Sequence, residues 1–136
     1  MARLMAFDFG SRRLGIAVTD SLQIIATGLT TIHPKDIKEF LETYMKTEEV
    51  SCFIVGEPRQ HDNSLSETAG QAQAFANRIQ KLYPSIPVKR ENERNTSKMA
   101  MRSLIESGVK KSDRRNKELL DTVSATLILQ AYMESI

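Results

Sequence analysis

Arg3-Leu4-Met5-Ala6-Phe7-Asp8-Phe9, then Gly10-Ser11-Arg12-Arg13, then Leu14-Gly15-Ile16-Ala17-Val18-Thr19, opens the chain. The first stretch is an apolar run of strand length broken by one carboxylate, the second a polar turn, and the third another apolar run. Four turn residues between two strands are too few for a crossover helix, so the pair reads as an antiparallel hairpin. A further Thr- and Ile-rich stretch, Ile24–Ile32, is expected to add a third strand by a second hairpin connection.

Downstream the pattern changes. Pro34 suits the first position of a helix whose apolar residues Ile37, Phe40, Leu41 and Tyr44 recur at helical spacing. Val50–Gly56 reads as a short central strand stopped by Pro58. Ser64 with Glu67 resembles a capping box for a helix carrying Leu65, Ala69, Ala72, Phe75, Ile79 and Leu82 on one stripe, ended by Pro84. Ile86–Glu91 is the last expected strand. A helix from Asn95 or Thr96 to Gly108, a Lys110–Lys117 loop and a final helix over Leu119–Met133 complete the reading. That final helix is apolar almost all round and is expected to be deeply packed. A meander followed by alternation implies one α/β domain over residues 1–136, with a mixed five-stranded sheet and helices on both faces.

The net charge of +2 is unevenly placed. Residues 1–88 are near neutral, residues 89–117 carry 10 basic and 4 acidic side chains for +6, and the last 19 residues carry −3. A basic segment in a near-neutral protein suits a polyanionic partner, although a solvated helix face and loop fits the same composition. The single cysteine, Cys52, lies in an apolar run and reads as a structural thiol. No apolar stretch has the roughly 20 residues needed to span a bilayer, and the N-terminus lacks the pattern of a signal peptide. A reduced, cytoplasmic setting is expected.

Asp8 is the most informative residue. A carboxylate ending an apolar strand carries a desolvation penalty unless a cation or hydrogen bonds compensate it. A turn aspartate bonding local amides fits the same pattern. Asp121 falls near the start of the final helix, with Ser124 and Ala125 on its face, so it can approach the sheet. The helix dipole also favours an aspartate in a first turn. Glu93 follows the last strand in polar surroundings, and Glu57 follows Ile54-Val55-Gly56. Together these acids form a plausible set of oxygen ligands. Mg²⁺ or Mn²⁺ bound by few carboxylates is suited to phosphate chemistry. His33 and His61 lack zinc-ligand spacing, and neither a Gly-Lys-Ser/Thr phosphate loop nor a Gly-x-Ser-x-Gly elbow occurs.

Four segments, in order, resemble the motifs of the YqgF (RuvX-like) family. Asp8-Phe9-Gly10-Ser11-Arg12-Arg13-Leu14-Gly15-Ile16-Ala17-Val18-Thr19-Asp20 is similar to its Asp-x-Gly-x-x-Arg-x-Gly-x-Ala-x-Ser/Thr-Asp block. Ile54-Val55-Gly56-Glu57-Pro58 is similar to its Val-Gly-Leu-Pro turn. Asn92-Glu93-Arg94-Asn95-Thr96-Ser97 resembles its Asp-Glu-Arg-Leu/Phe-Thr segment, and Asp121-Thr122-Val123-Ser124-Ala125 its Asp-x-x-Ala/Ser-Ala helix.

The resemblance implies an RNase H-like fold and a metal-dependent endonuclease. Structured RNA, in particular precursor 16S ribosomal RNA, is the expected substrate, with junction DNA as the competitor. It carries Asp8, Glu93 and Asp121 over as catalytic, metal-binding acids. Arg12, Arg13 and Arg94 would then neutralise substrate phosphates, and Lys110, Lys111, Arg114 and Arg115 would extend the track. A monomer or weak homodimer is expected. Two departures matter, Asn92 in place of the usual Asp and Asn95 in place of an apolar residue, and Glu57 stands where Leu is usual. Glu57 is read as an incidental surface change in preference to a compensating acid. A binding module with little or no cleavage is the alternative that Asn92 raises.

Overall fold

The computed structural model describes residues 2–57, 69–92 and 117–136. Its sheet contains β1 (Arg3–Phe9), β2 (Leu14–Thr19), β3 (Ala26–Ile32), β4 (Val50–Glu57) and β5 (Val88–Asn92). The spatial order is β3-β2-β1-β4-β5. β1 pairs antiparallel with β2 and parallel with β4, and β5 runs parallel to β4. The carboxyl ends of β1, β4 and β5 therefore lie at one edge of the sheet. At that edge the chain leaves β1 for β2 on one side, while β4 flanks β1 on the other. Open α/β sheets place ligands at such switch points.

Strand alternation divides the core in two. Met5, Phe7, Phe53 and Val55 face α1 (Ile37–Tyr44) and α2 (Ala69–Leu82). The anchors there are Ile37, Leu41, Phe75 and Ile79. Leu4, Ala6, Cys52 and Ile54 face α3 (Lys117–Ser135), which contributes Ala125, Ile128 and Leu129. Each fully buried side chain of this size contributes about 1.5–3 kcal/mol of hydrophobic stabilisation. Helices thus cover both faces, as the alternation of elements required. Burial also pushes the Cys52 thiol pKa up, and it sits as a small apolar residue against α3.

Three starts and one burial pattern differ from the sequence reading, each for a local reason. β3 begins at Ala26 instead of Ile24, because the amides of Ile24 and Ile25 donate to Asp20 Oδ1 at 2.8 Å each. These two residues and Leu22 are consequently exposed in a turn. The helix expected from Pro34 starts as a 3₁₀ turn, Pro34–Asp36, capped by His33 Nδ1, which accepts from the Lys35 amide at 3.1 Å. β5 starts at Val88 because Ile86 is held in a turn, its amide donating to the Tyr83 carbonyl, and Pro87 has no amide to give a ladder. α3 buries only one stripe completely, Ser124, Ala125, Ile128 and Leu129, while Leu119, Leu120, Val123 and Leu127 are half-buried. A helix lying on a single sheet can present only one face to it, so deep burial all round does not occur. The Ser64–Glu67 capping box, the helix from Asn95 or Thr96 to Gly108, and residues 110–116 lie outside the described residues.

Candidate functional site

Phe7 and Phe9 flank Asp8, and both rings meet Phe75 of α2, at 5.4 and 5.3 Å between centroids. Because successive strand residues point to opposite faces, Asp8 shares the α3 face with Leu4 and Ala6. It is half-buried at the carboxyl end of β1.

Asp8 stands in register with Gly15 of β2. Gly15 in turn seats α3. A side chain at position 15 would collide with the backbone carbonyl of Asp121, and its Cβ would lie 3.1 Å from the Asp121 Cβ. Helix and strand therefore approach backbone to backbone at the level of Asp8. Thr31 and Thr122, whose hydroxyls are 2.8 Å apart, fix the same end of α3 to β3. Gly15 was not among the residues singled out in the sequence. Its signal is a glycine inside an apolar strand, which marks close approach of another backbone.

Two carboxylates thus open onto one cleft of ≈ 300 Å³, lined by Asp8, Phe9, Gly10, Ser11, Arg12, Arg13 and Asp121. The turn is closed by the Gly10 amide donating to the Arg13 carbonyl at 2.8 Å. A Cβ on Gly10 would come 2.8 Å from that oxygen, so the tight turn requires glycine. Arg13 Nε donates to Asp121 Oδ2 at 2.6 Å. Arg12 is exposed beside it. A larger groove of ≈ 550 Å³ lies at the other end of the sheet between the Ile24–Ala26 segment and the end of α3, with Glu134 as its one charged lining residue. The paired acids and arginines are all in the smaller cleft.

Of the other residues read as site members, Glu57 closes β4 in register with Asn92, the last residue of β5. Both strands end at the Asp8 edge. Glu93, Arg94, Lys110, Lys111, Arg114 and Arg115 lie outside the described residues. Within the basic segment, the described Arg90 braces the fold: it donates to the carbonyls of Val55 and Gly56, each at 3.2 Å, and to Gln73 Oε1 at 2.5 Å. No group of three or more His, Cys, Asp or Glu residues that could hold a metal occurs among the described residues. The two carboxylates present are hard oxygen donors. Mg²⁺ is commonly held by one or two carboxylates with waters and substrate phosphate completing its shell, so this donor set fits a hard divalent cation of that kind. Among the described residues no helix is long and apolar enough to cross a membrane.

A family model described as RuvX, Holliday junction resolvase, matches residues 2–135. A proposed pre-16S rRNA nuclease of Christiangramia forsetii is 46% identical over 133 residues, 98% of each chain. One of Bacteroides fragilis is 44% identical over 135 residues, 99% of this chain and 98% of its own. Among solved structures, Thermus thermophilus RuvC in complex with a Holliday junction substrate aligns with a TM-score of 0.56 at 17% identity, covering 99% of this chain and 95% of that one. At that identity the likeness concerns the fold, which is RNase H-like.

Proposed function

The chain belongs to the RuvX family, and on that premise we propose that it is a single-domain, metal-dependent endonuclease that hydrolyses phosphodiester bonds of precursor 16S rRNA. The observation that carries this reading is the shared cleft of Asp8 and Asp121, flanked by Arg12 and Arg13 at the switch point of the sheet. The near-full-length relatives named for pre-16S rRNA favour RNA as the substrate. The family description and the RuvC complex keep junction DNA as the second reading.

In this reading Asp8 and Asp121, with Glu93 beyond the end of β5, hold the divalent cation. Such a cation supplies charge to the phosphate and lowers the pKa of the attacking water. The protein's own share is placement. The Gly15 contact fixes the height of Asp121 against Asp8. Arg12 meets a phosphate oxygen from the open side of the cleft, where a guanidinium gives charge and paired donors. Arg94, Lys110, Lys111, Arg114 and Arg115 continue the contact along the backbone of the nucleic acid.

The test is a cleavage assay on precursor 16S rRNA and on four-way junction DNA, with and without Mg²⁺ or Mn²⁺, for the wild type and Asp8→Asn. Metal-dependent cleavage of the RNA, abolished in a folded Asp8→Asn, is expected. Full activity in that variant would remove Asp8 from the site, and cleavage confined to the junction would select the second reading.

A further inference from the structure

Arg12 and Arg13 are neighbours in one turn, yet they are engaged differently. Arg12 is exposed and makes no side-chain hydrogen bond among the described residues. Arg13 is committed to Asp121 by a single short contact through Nε, with side-chain exposures of 42% for the arginine and 19% for the aspartate. The guanidinium therefore lies on the solvent side of the carboxylate. Its backbone is anchored by the Gly10–Arg13 hydrogen bond, so the side chain can leave Asp121 without moving the turn. A part-exposed pair of this kind is weak, worth a factor of about five at most. A dication offers Asp121 a stronger partner, but the same oxygen cannot serve both at full strength.

We propose that Arg13 is a displaceable counter-ion for Asp121. It holds the carboxylate in the empty site, yields it when a divalent cation binds, and then turns to a substrate phosphate across the same cleft. The inference rests on the metal-nuclease reading above and concerns how that site is kept before it is loaded. Arg13 acts through Asp121 and is a positioning residue in the empty state. It neutralises the Asp121 charge in the empty site, at the cost of competing with the metal. Loading and substrate contact are thereby linked, because a guanidinium released by one event is available to the other.

The experiment is calorimetric titration of the whole protein with Mn²⁺, without nucleic acid. The variants are Arg13→Gln, Arg13→Lys, Arg12→Gln, Asp8→Asn and Asp121→Asn. Arg13→Gln is expected to bind Mn²⁺ roughly threefold tighter than the wild type, the size of the lost pair. Arg13→Lys should return toward wild-type affinity, and Arg12→Gln should change it much less than Arg13→Gln does. A brace that merely held Asp121 in place would give the opposite sign, weaker binding on its removal. Equal or weaker binding in Arg13→Gln, with Asp8→Asn and Asp121→Asn both losing Mn²⁺, overturns the counter-ion role and leaves the metal site standing. Wild-type binding in both aspartate variants overturns the metal-site reading and the counter-ion role with it.

Discussion

Gly15 and Asp121 touch backbone to backbone: the helix passes β2 so closely that the space a side chain would need at position 15 is filled by the Asp121 carbonyl and, 3.1 Å away, its Cβ. Because Asp8 is the cross-strand partner of Gly15, this contact sets the separation of the two acids. Gly15→Ala must push α3 outward. Overpacking of this kind costs about 1–3 kcal/mol, readable by chemical denaturation. The same shift should lower cleavage further, since a misplacement of about 1 Å in a catalytic group can cost roughly 100-fold. A Gly15→Ala protein with wild-type stability and rate would show that the helix does not depend on this seat.

The turn before β3 offers a separate test, remote from the acids. Asp20 accepts the amides of Ile25 and Ile24, and these bonds hold its carboxyl pKa below the ordinary value. A depressed folded-state pKa means stability that is present above the unfolded value of about 3.9 and is lost as pH falls through the folded one. Asp20→Ala should therefore melt at a lower temperature than the wild type at pH 7, with the gap closing as the pH is taken down toward 2. A gap that stays constant across that range would mean the carboxylate charge is not what holds the turn.

Much of this was legible in the chain because strand parity is a strong code. Leu4-Met5-Ala6-Phe7-Asp8 alternates between two buried faces, and the position of Asp8 follows once Phe7 is placed. Asp121 could be aimed at the sheet from Ser124 and Ala125, small residues on its own helical face, and both are buried. What escaped the reading depends on contacts distant in sequence. Arg13 reads from the sequence as a phosphate contact, and its ion pair with Asp121, 108 positions away, is visible only once α3 is placed. Ile24 and Ile25 looked like strand because β propensity ignores a side chain, here Asp20, that competes for the same amides. Position 15 reads as a weak point in a strand until the helix it admits is known.

Lys110, Lys111, Arg114 and Arg115 are assigned to phosphates on charge alone, so their test is electrostatic. Neutralising all four should weaken nucleic-acid binding across sequences. It should also flatten the dependence of log affinity on log salt by about 0.7–0.9 per lost contact. Binding isotherms at several salt concentrations measure this directly. An unchanged slope would make the segment solvated charge and leave phosphate contact to Arg12, Arg13 and Arg94.

The remaining prediction concerns two of the positions where the chain departs from the motifs it resembles, 57 and 92. Glu57 and Asn92 are register partners at the ends of β4 and β5. The usual Leu and Asp at these positions would also give one acid and one uncharged residue on neighbouring strands, with the acid on the other strand. An amide oxygen offers a cation a dipole where a carboxylate offers full charge, so Asn92→Asp should lower the metal concentration needed for half-maximal cleavage. On the reading that Glu57 is an incidental change, Glu57→Leu should leave that concentration where it was. Metal titrations of cleavage by both variants decide the matter. If Glu57→Leu abolishes activity while Asn92→Asp changes nothing, Glu57 takes the place of Glu93 among the ligands. If the wild type and both variants are inactive at saturating metal on RNA and junction DNA alike, restoring the acid at position 92 does not restore cleavage, and the binding-module reading takes precedence. The cleft then binds nucleic acid without cutting it.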